Sequence, residues 1–119
     1  MPTILIIDDE PDFLSNLAQL LEFEDFRVIA SVNGHDAIAS LQVRSVDLIL
    51  CDMLMRPMNG FEILQAIHQN PKIAQVPFVF ITGVQWNPAD VEVTGVTGYL
   101  IKPFTTDKLL EVIRSQLGM

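Results

Sequence analysis

A single cysteine, Cys51, leaves this chain without an internal disulfide or a cage of thiolate ligands for a metal. Its place at the end of the apolar run "LILC" suits a small buried filler better than a reactive thiol. Basic residues are scarce too: seven Lys and Arg stand against fifteen Asp and Glu, for a net charge of −8. With no basic stripe to neutralise phosphates, direct nucleic-acid binding by this domain is not expected. Long apolar runs are also missing. Runs such as "ILII" and "LILC" stop after four residues, far short of the roughly 20 that span a bilayer. No basic segment precedes the acids that begin at Asp8, so the N-terminus does not read as a secretory signal. A cytoplasmic protein with no membrane segment is expected.

What is present is a chain of 119 residues, half of them apolar and only 18% charged, which fits one compact domain over 1–119. Short apolar runs alternate with segments of helical spacing, the rhythm of an α/β fold. Strands are expected at 3–7, 27–32, 47–51, 77–81 and 98–101, several solidly apolar as in parallel strands covered on both faces. Between the first two, Phe13, Leu14, Leu17, Leu20 and Leu21 recur at helical intervals, with Pro11 in the first turn. Asn33 offers a cap for a helix bearing Ala37, Ile38 and Leu41. A third helix from Gly60 carries Phe61, Leu64 and Ile67 on one face, with Ile63 beside them, and stops at Asn70-Pro71. The last starts near Thr105, carries Leu109, Leu110, Ile113 and Leu117, and ends before Gly118. The interval 83–98 holds three glycines, one proline and six β-branched residues, so only a short or irregular helix is expected there, between Pro88 and Thr94.

The stretch "ILIIDDEPDF" poses the functional question, because Asp8, Asp9 and Glu10 crowd like charges directly after a strand. Taken alone, such acids fit a helix start favoured by the dipole. In open parallel sheets, however, ligands bind beyond the carboxyl ends of the strands. Asp8 and Asp9 follow the first strand, Asp52 the third, Thr82 the fourth and Lys102 the fifth. Three carboxylates at one rim raise at least one pKa unless a cation favours their ionised forms, and one lysine is too little. Carboxylate oxygens without His or Cys suit Mg²⁺ better than zinc. Asp52, set apart after "LILC", is then placed to act as a nucleophile toward phosphorus. Lys102 and Thr82 could neutralise and position the phosphoryl oxygens.

Taken in order, "DDE" at 8–10, Asp52 in "LILCDMLM", Gly60 eight residues later, Thr82 followed by Gly83, Tyr99, and "KPF" at 102–104 cover nearly the whole chain. This set resembles the receiver domain of two-component response regulators, in particular the chemotaxis regulators. The resemblance implies a flavodoxin-like, doubly wound five-stranded parallel sheet in the order 2-1-3-4-5 with helices on both faces. It implies that Asp52 accepts a phosphoryl group from the phosphohistidine of a histidine kinase or phosphotransfer protein. Asp9, Asp52 and the backbone carbonyl of Leu54 would ligate Mg²⁺, with Asp8 acting mainly through water. Lys102 and Thr82 would bind phosphoryl oxygens, and the Lys102–Pro103 peptide would be cis. Thr82 and Tyr99 would switch the surface near strands four and five toward a downstream output domain or protein. A phosphorylation-dependent homodimer is a further partner that the resemblance admits. The implied chemistry is self-phosphorylation and slow self-hydrolysis, not turnover of a separate substrate.

There are departures from the family pattern. Arg56 stands where a proline is usual four residues after the acceptor, with Pro57 following, and the glycine-rich 83–98 interval is unlike the usual fourth helix and its output surface. Leu54 and Val84, two residues beyond Asp52 and Thr82, stand at positions that in the family influence attack by water, and both are apolar, so a relatively long-lived phosphoryl group is expected. His35 and His68 are expected on helix surfaces, while Trp86 suits either an exposed contact or a packing plug. Other classes fit less well. An FMN carrier would need backbone donors where "DDEPDF" offers acids, and an aspartyl-intermediate phosphatase would want an acid at Leu54. The remaining alternative is a degenerate receiver used as a phosphorylation-independent interaction module.

Overall fold

Alternate residues of the apolar strands divide between two cores, and that division builds the molecule. A computed structural model describes residues 1–83 and 95–119. Strands β1 (Thr3–Ile7), β2 (Arg27–Ser31), β3 (Leu48–Asp52), β4 (Phe78–Thr82) and β5 (Gly98–Ile101) form one parallel sheet in the order β2-β1-β3-β4-β5. Helices α1 (Pro11–Phe23), α2 (Gly34–Val43), α3 (Gly60–His68) and α4 (Thr106–Leu117) complete it. Leu5, Ile7, Ile49, Cys51, Phe78 and Phe80 face one core with Ala37 and Leu41 of α2 and Ile63, Leu64 and Ile67 of α3. Ile4, Ile6, Leu48, Leu50, Val79 and Ile81 face the other, with Leu14, Leu17 and Leu21 of α1 and Leu109, Leu110 and Ile113 of α4. The expected doubly wound, flavodoxin-like architecture is therefore the one observed. Cys51 is a buried free thiol within the sheet.

The limits of three strands, β2, β3 and β4, differ from expectation by one residue. Pro77 has no N–H to give a ladder, so β4 begins at Phe78, whose N–H goes to Thr97 Oγ1 at 3.1 Å. Asp47 uses its carboxylate to accept the Thr3 N–H at 2.7 Å, and β3 begins after it. At the other end the Met53 N–H donates to the Ile81 carbonyl at 2.9 Å, which keeps Asp52 within the ladder. β2 stops at Ser31 because Asn33 caps α2, accepting the Asp36 N–H at 2.8 Å.

The third helix corrects one expectation. Its buried stripe is Gly60, Ile63, Leu64 and Ile67, and Phe61 lies to the side, 40% exposed, with its ring 5.0 Å from that of Phe80. The spacing i, i+3, i+4, i+7 counted from Gly60 accounts for the shift. A capping box between Asn59 and Glu62 fixes the helix start. His35 and His68 are both exposed, as expected. The irregular helix expected between Pro88 and Thr94, together with Val84 and Trp86, lies outside the described residues.

Candidate functional site

Because β1 and β3 are neighbours with Ile7 opposite Cys51, the residues that follow, Asp8 and Asp52, are carried to the same rim. Asp8 is almost fully buried, at 2% exposed, while Asp9 is exposed and Asp52 intermediate. One carboxylate oxygen from each of Asp8, Asp9 and Asp52 lies within 4.8 Å of the others. Asp8 is held on several sides: its N–H donates to the Ser31 carbonyl at 3.1 Å, and its Oδ1 accepts the Glu10 N–H at 2.9 Å. Its Oδ2 receives Lys102 Nζ at 3.4 Å.

Lys102 follows β5, and its N–H donates to the Thr82 carbonyl at 2.7 Å, tying the ends of β4 and β5 together. Thr82 is buried at the end of β4. The Lys102 ammonium lies over the ring of Phe13, 4.0 Å from its centroid. The peptides Arg56–Pro57 and Lys102–Pro103 are both cis. Tyr99, opposite Phe80 in the β4–β5 pair, is half-buried against the core shared by α2 and α3.

The electrostatics follow from this crowding. Burial raises the Asp52 carboxyl above its ordinary value, and the Asp8 carboxylate raises it further. Lys102 and the Leu54 N–H, 3.4 Å from Asp52 Oδ1, act the other way, and Asp9 adds a smaller upward push. Burial also pushes the Cys51 thiol well up, helped by Asp52 and Asp8, which leaves it protonated and inert.

The donor set fits a hard divalent cation, since it is made of carboxylate oxygens with no imidazole or thiolate among them. Gly60 makes the close packing behind the site possible. A Cβ there would fall 2.8 Å from the Asp52 carbonyl oxygen and 2.9 Å from Phe80 Cε1. Leu54, beyond Asp52, points its side chain to solvent at 69% exposed. The contact between Phe13 and Lys102 had no signal in the sequence, where Phe13 reads only as one apolar position on a helix.

Comparison with known proteins agrees with this geometry. The model of the response regulator receiver domain matches residues 4–114. The chain is 33% identical over 118 residues to a probable cyclic di-GMP phosphodiesterase of Vibrio cholerae, covering 97% of this chain and 26% of that protein. Chemotaxis response regulator CheY4 of Vibrio cholerae superposes with a TM-score of 0.90 at 26% identity, covering 98% of this chain and 99% of that one. Response regulator protein TrrA of Thermotoga maritima, solved in complex with Mg²⁺-BeF, gives a TM-score of 0.86 at 26% identity over 98% of this chain and 100% of that one. The chain spans about a quarter to about half the length of several curated relatives that it matches. A match along nearly its whole length, on a sheet of this order with three acids and a lysine at the rim, makes the chain a member of the response regulator receiver family.

Proposed function

We propose that the chain is a phosphorylatable switch in which Asp52 accepts a phosphoryl group from the phosphohistidine of a histidine kinase or phosphotransfer protein. A carboxylate oxygen of Asp52 attacks phosphorus, the P–N bond breaks, and the imidazole leaves with the electron pair. The observation that carries the reading is the gathering of Asp8, Asp9 and Asp52 within 4.8 Å, beside the ammonium of Lys102. Asp9, Asp52 and the backbone carbonyl of Leu54 would hold Mg²⁺, with Asp8 acting mainly through water. When bound, the ion neutralises the charge that the phosphoryl oxygens bring. That TrrA was solved in complex with Mg²⁺-BeF supports carrying an Mg²⁺ site to the present chain.

In this reading Lys102 exchanges part of its contact with Asp8 for a phosphoryl oxygen, and the Thr82 hydroxyl takes another. The shared backbone link between Thr82 and Lys102 lets both respond together. Movement of Thr82, followed by Tyr99 turning inward, would shift the population of states at the β4–β5 surface. That surface would then engage an output domain or a separate protein. The domain acts on itself only, as a signalling switch with slow loss of its own phosphoryl group. Among the described residues no helix is long and apolar enough to cross a membrane.

Intact mass after incubation with Mg²⁺ and acetyl phosphate tests the proposal. The wild type gains one phosphoryl group and Asp52→Asn gains none. No gain in the wild type with Mg²⁺ demonstrably bound, and none from phosphorylated kinases, would favour a phosphorylation-independent interaction module instead.

A further inference from the structure

Lys102 stands beside three carboxylates, yet among the described residues just one of them, Asp8, pairs with it, and at 3.4 Å. What else holds the ammonium is an aromatic face. Nζ lies 4.0 Å from the centroid of Phe13, in the first turn of α1. The Phe13 ring is itself set by Phe104, two residues beyond Lys102, in an edge-to-face pair with centroids 6.4 Å apart and planes at 87°. The Lys102 side chain is only 26% exposed, so the ring replaces part of its hydration shell. A ring face attracts a cation with little directional demand. A second carboxylate in its place would fix the ammonium in a directed, charge-assisted bond that an incoming phosphoryl oxygen would have to break.

We propose that Phe13 is a positioning residue for phosphorylation. Its ring holds the Lys102 ammonium at the rim while leaving it free to slide from Asp8 toward a phosphoryl group on Asp52. The proposal rests on the reading of Asp52 as acceptor. It assigns Phe13 a role beyond packing α1 on the sheet, and gives Phe104 the supporting task of orienting the ring.

The test compares Phe13→Leu, which keeps an apolar side chain without a π face, with Phe13→Tyr, which keeps the face. With acetyl phosphate at saturation, Phe13→Leu is expected to be phosphorylated roughly fivefold more slowly, the scale of a partly hydrated cation–π contact. Phe13→Tyr should recover the wild-type rate, and Mg²⁺ affinity should be unchanged in both. In NMR spectra the ε-methylene protons of Lys102 should be shifted upfield by the ring in wild type and Phe13→Tyr, and lose that shift in Phe13→Leu. A wild-type rate in Phe13→Leu would overturn the proposal. So would equal slowing of both variants in step with lowered thermal stability, which would reduce Phe13 to packing, or the lack of an upfield shift in the wild type. Failure of the wild type itself to take up phosphate is a separate result: it removes the premise at Asp52, whatever the variants do.

Discussion

The interior of β3 and its last residue obey opposite rules. Leu48, Ile49, Leu50 and Cys51 are fully buried, each in contact with one of the two cores, and pattern, propensity and packing agree at all four. One residue further on, Asp52 is half-buried beside two other carboxylates, and burial and its neighbours disfavour its charged form. The same contrast divides β1, where Ile4 to Ile7 are buried apolar residues and Asp8 is a buried acid. Conflict of this kind, confined to the strand ends, marks where stability has been given up for a site. The interior is complete by itself, whereas the rim gathers three carboxylates beside the ammonium of Lys102.

Emptying the interior should cost most. Phe80 is fully buried, with its ring 5.0 Å from that of Phe61 and 5.4 Å from that of Phe78. Phe80→Ala should destabilise the fold by about 3–5 kcal/mol in denaturant titrations. If its cost were no greater than that of a surface change, the interior would not be the rigid half of the contrast. Next comes the seam between the two regions. Gly60→Ala places a methyl against the Asp52 carbonyl and the Phe80 ring, and should cost about 1–3 kcal/mol. It should also slow phosphorylation, because the backbone that must shift belongs to Asp52.

At the rim the sign reverses. The folded-state pKa of Asp52 is raised from 3.8, so the folded chain binds this proton more tightly than the unfolded chain does. Stability from this group is therefore lost as pH rises from the unfolded value through the raised folded one, and the deficit persists above it. Without metal, Asp52→Asn should accordingly be more stable than wild type at neutral pH. That advantage should vanish in acid, below the unfolded value. Mg²⁺ should stabilise the wild type, and should do so less as pH falls through the Asp52 pKa, because protons compete for the same oxygens. Equal stabilisation of wild type and Asp52→Asn by Mg²⁺ would place the ion elsewhere.

The smallest effect concerns strain far from the rim. Asp25, in the turn after α1, has φ 69°, a conformation that glycine adopts freely. Asp25→Gly should gain about 0.5 kcal/mol and leave phosphorylation unchanged. A change in phosphorylation would show that the two ends of α1 are coupled.

Most of the sheet was legible because a parallel strand buried on both faces leaves a run of apolar residues, and β1 and β5 coincide with their runs. The limits of β3 and β4 slipped by one because they depend on particular bonds of Asp47 and on the missing N–H of Pro77, not on hydrophobicity. At the site, the rule that ligands bind at strand ends was enough to gather Asp8, Asp9, Asp52 and Lys102. It could not show that Asp8 is buried while Asp9 is exposed, since that depends on Ser31 and Lys102 reaching Asp8 from other strands. The ring of Phe13 over Lys102 was equally hidden, because it requires α1 and the end of β5 to meet in space.

Loss of phosphorylation in Asp52→Asn is expected whether Asp52 carries the phosphoryl group or only ligates the metal. Reduction of the phosphorylated wild type with borohydride, followed by peptide sequencing in the mass spectrometer, separates the two roles by converting an aspartyl phosphate to homoserine where it stands. Homoserine at position 52, and only after phosphorylation in the presence of Mg²⁺, is the predicted result. Homoserine at position 8 or 9, or a phosphoryl group that resists reduction because it sits on a hydroxyl, would rule out Asp52 as the acceptor.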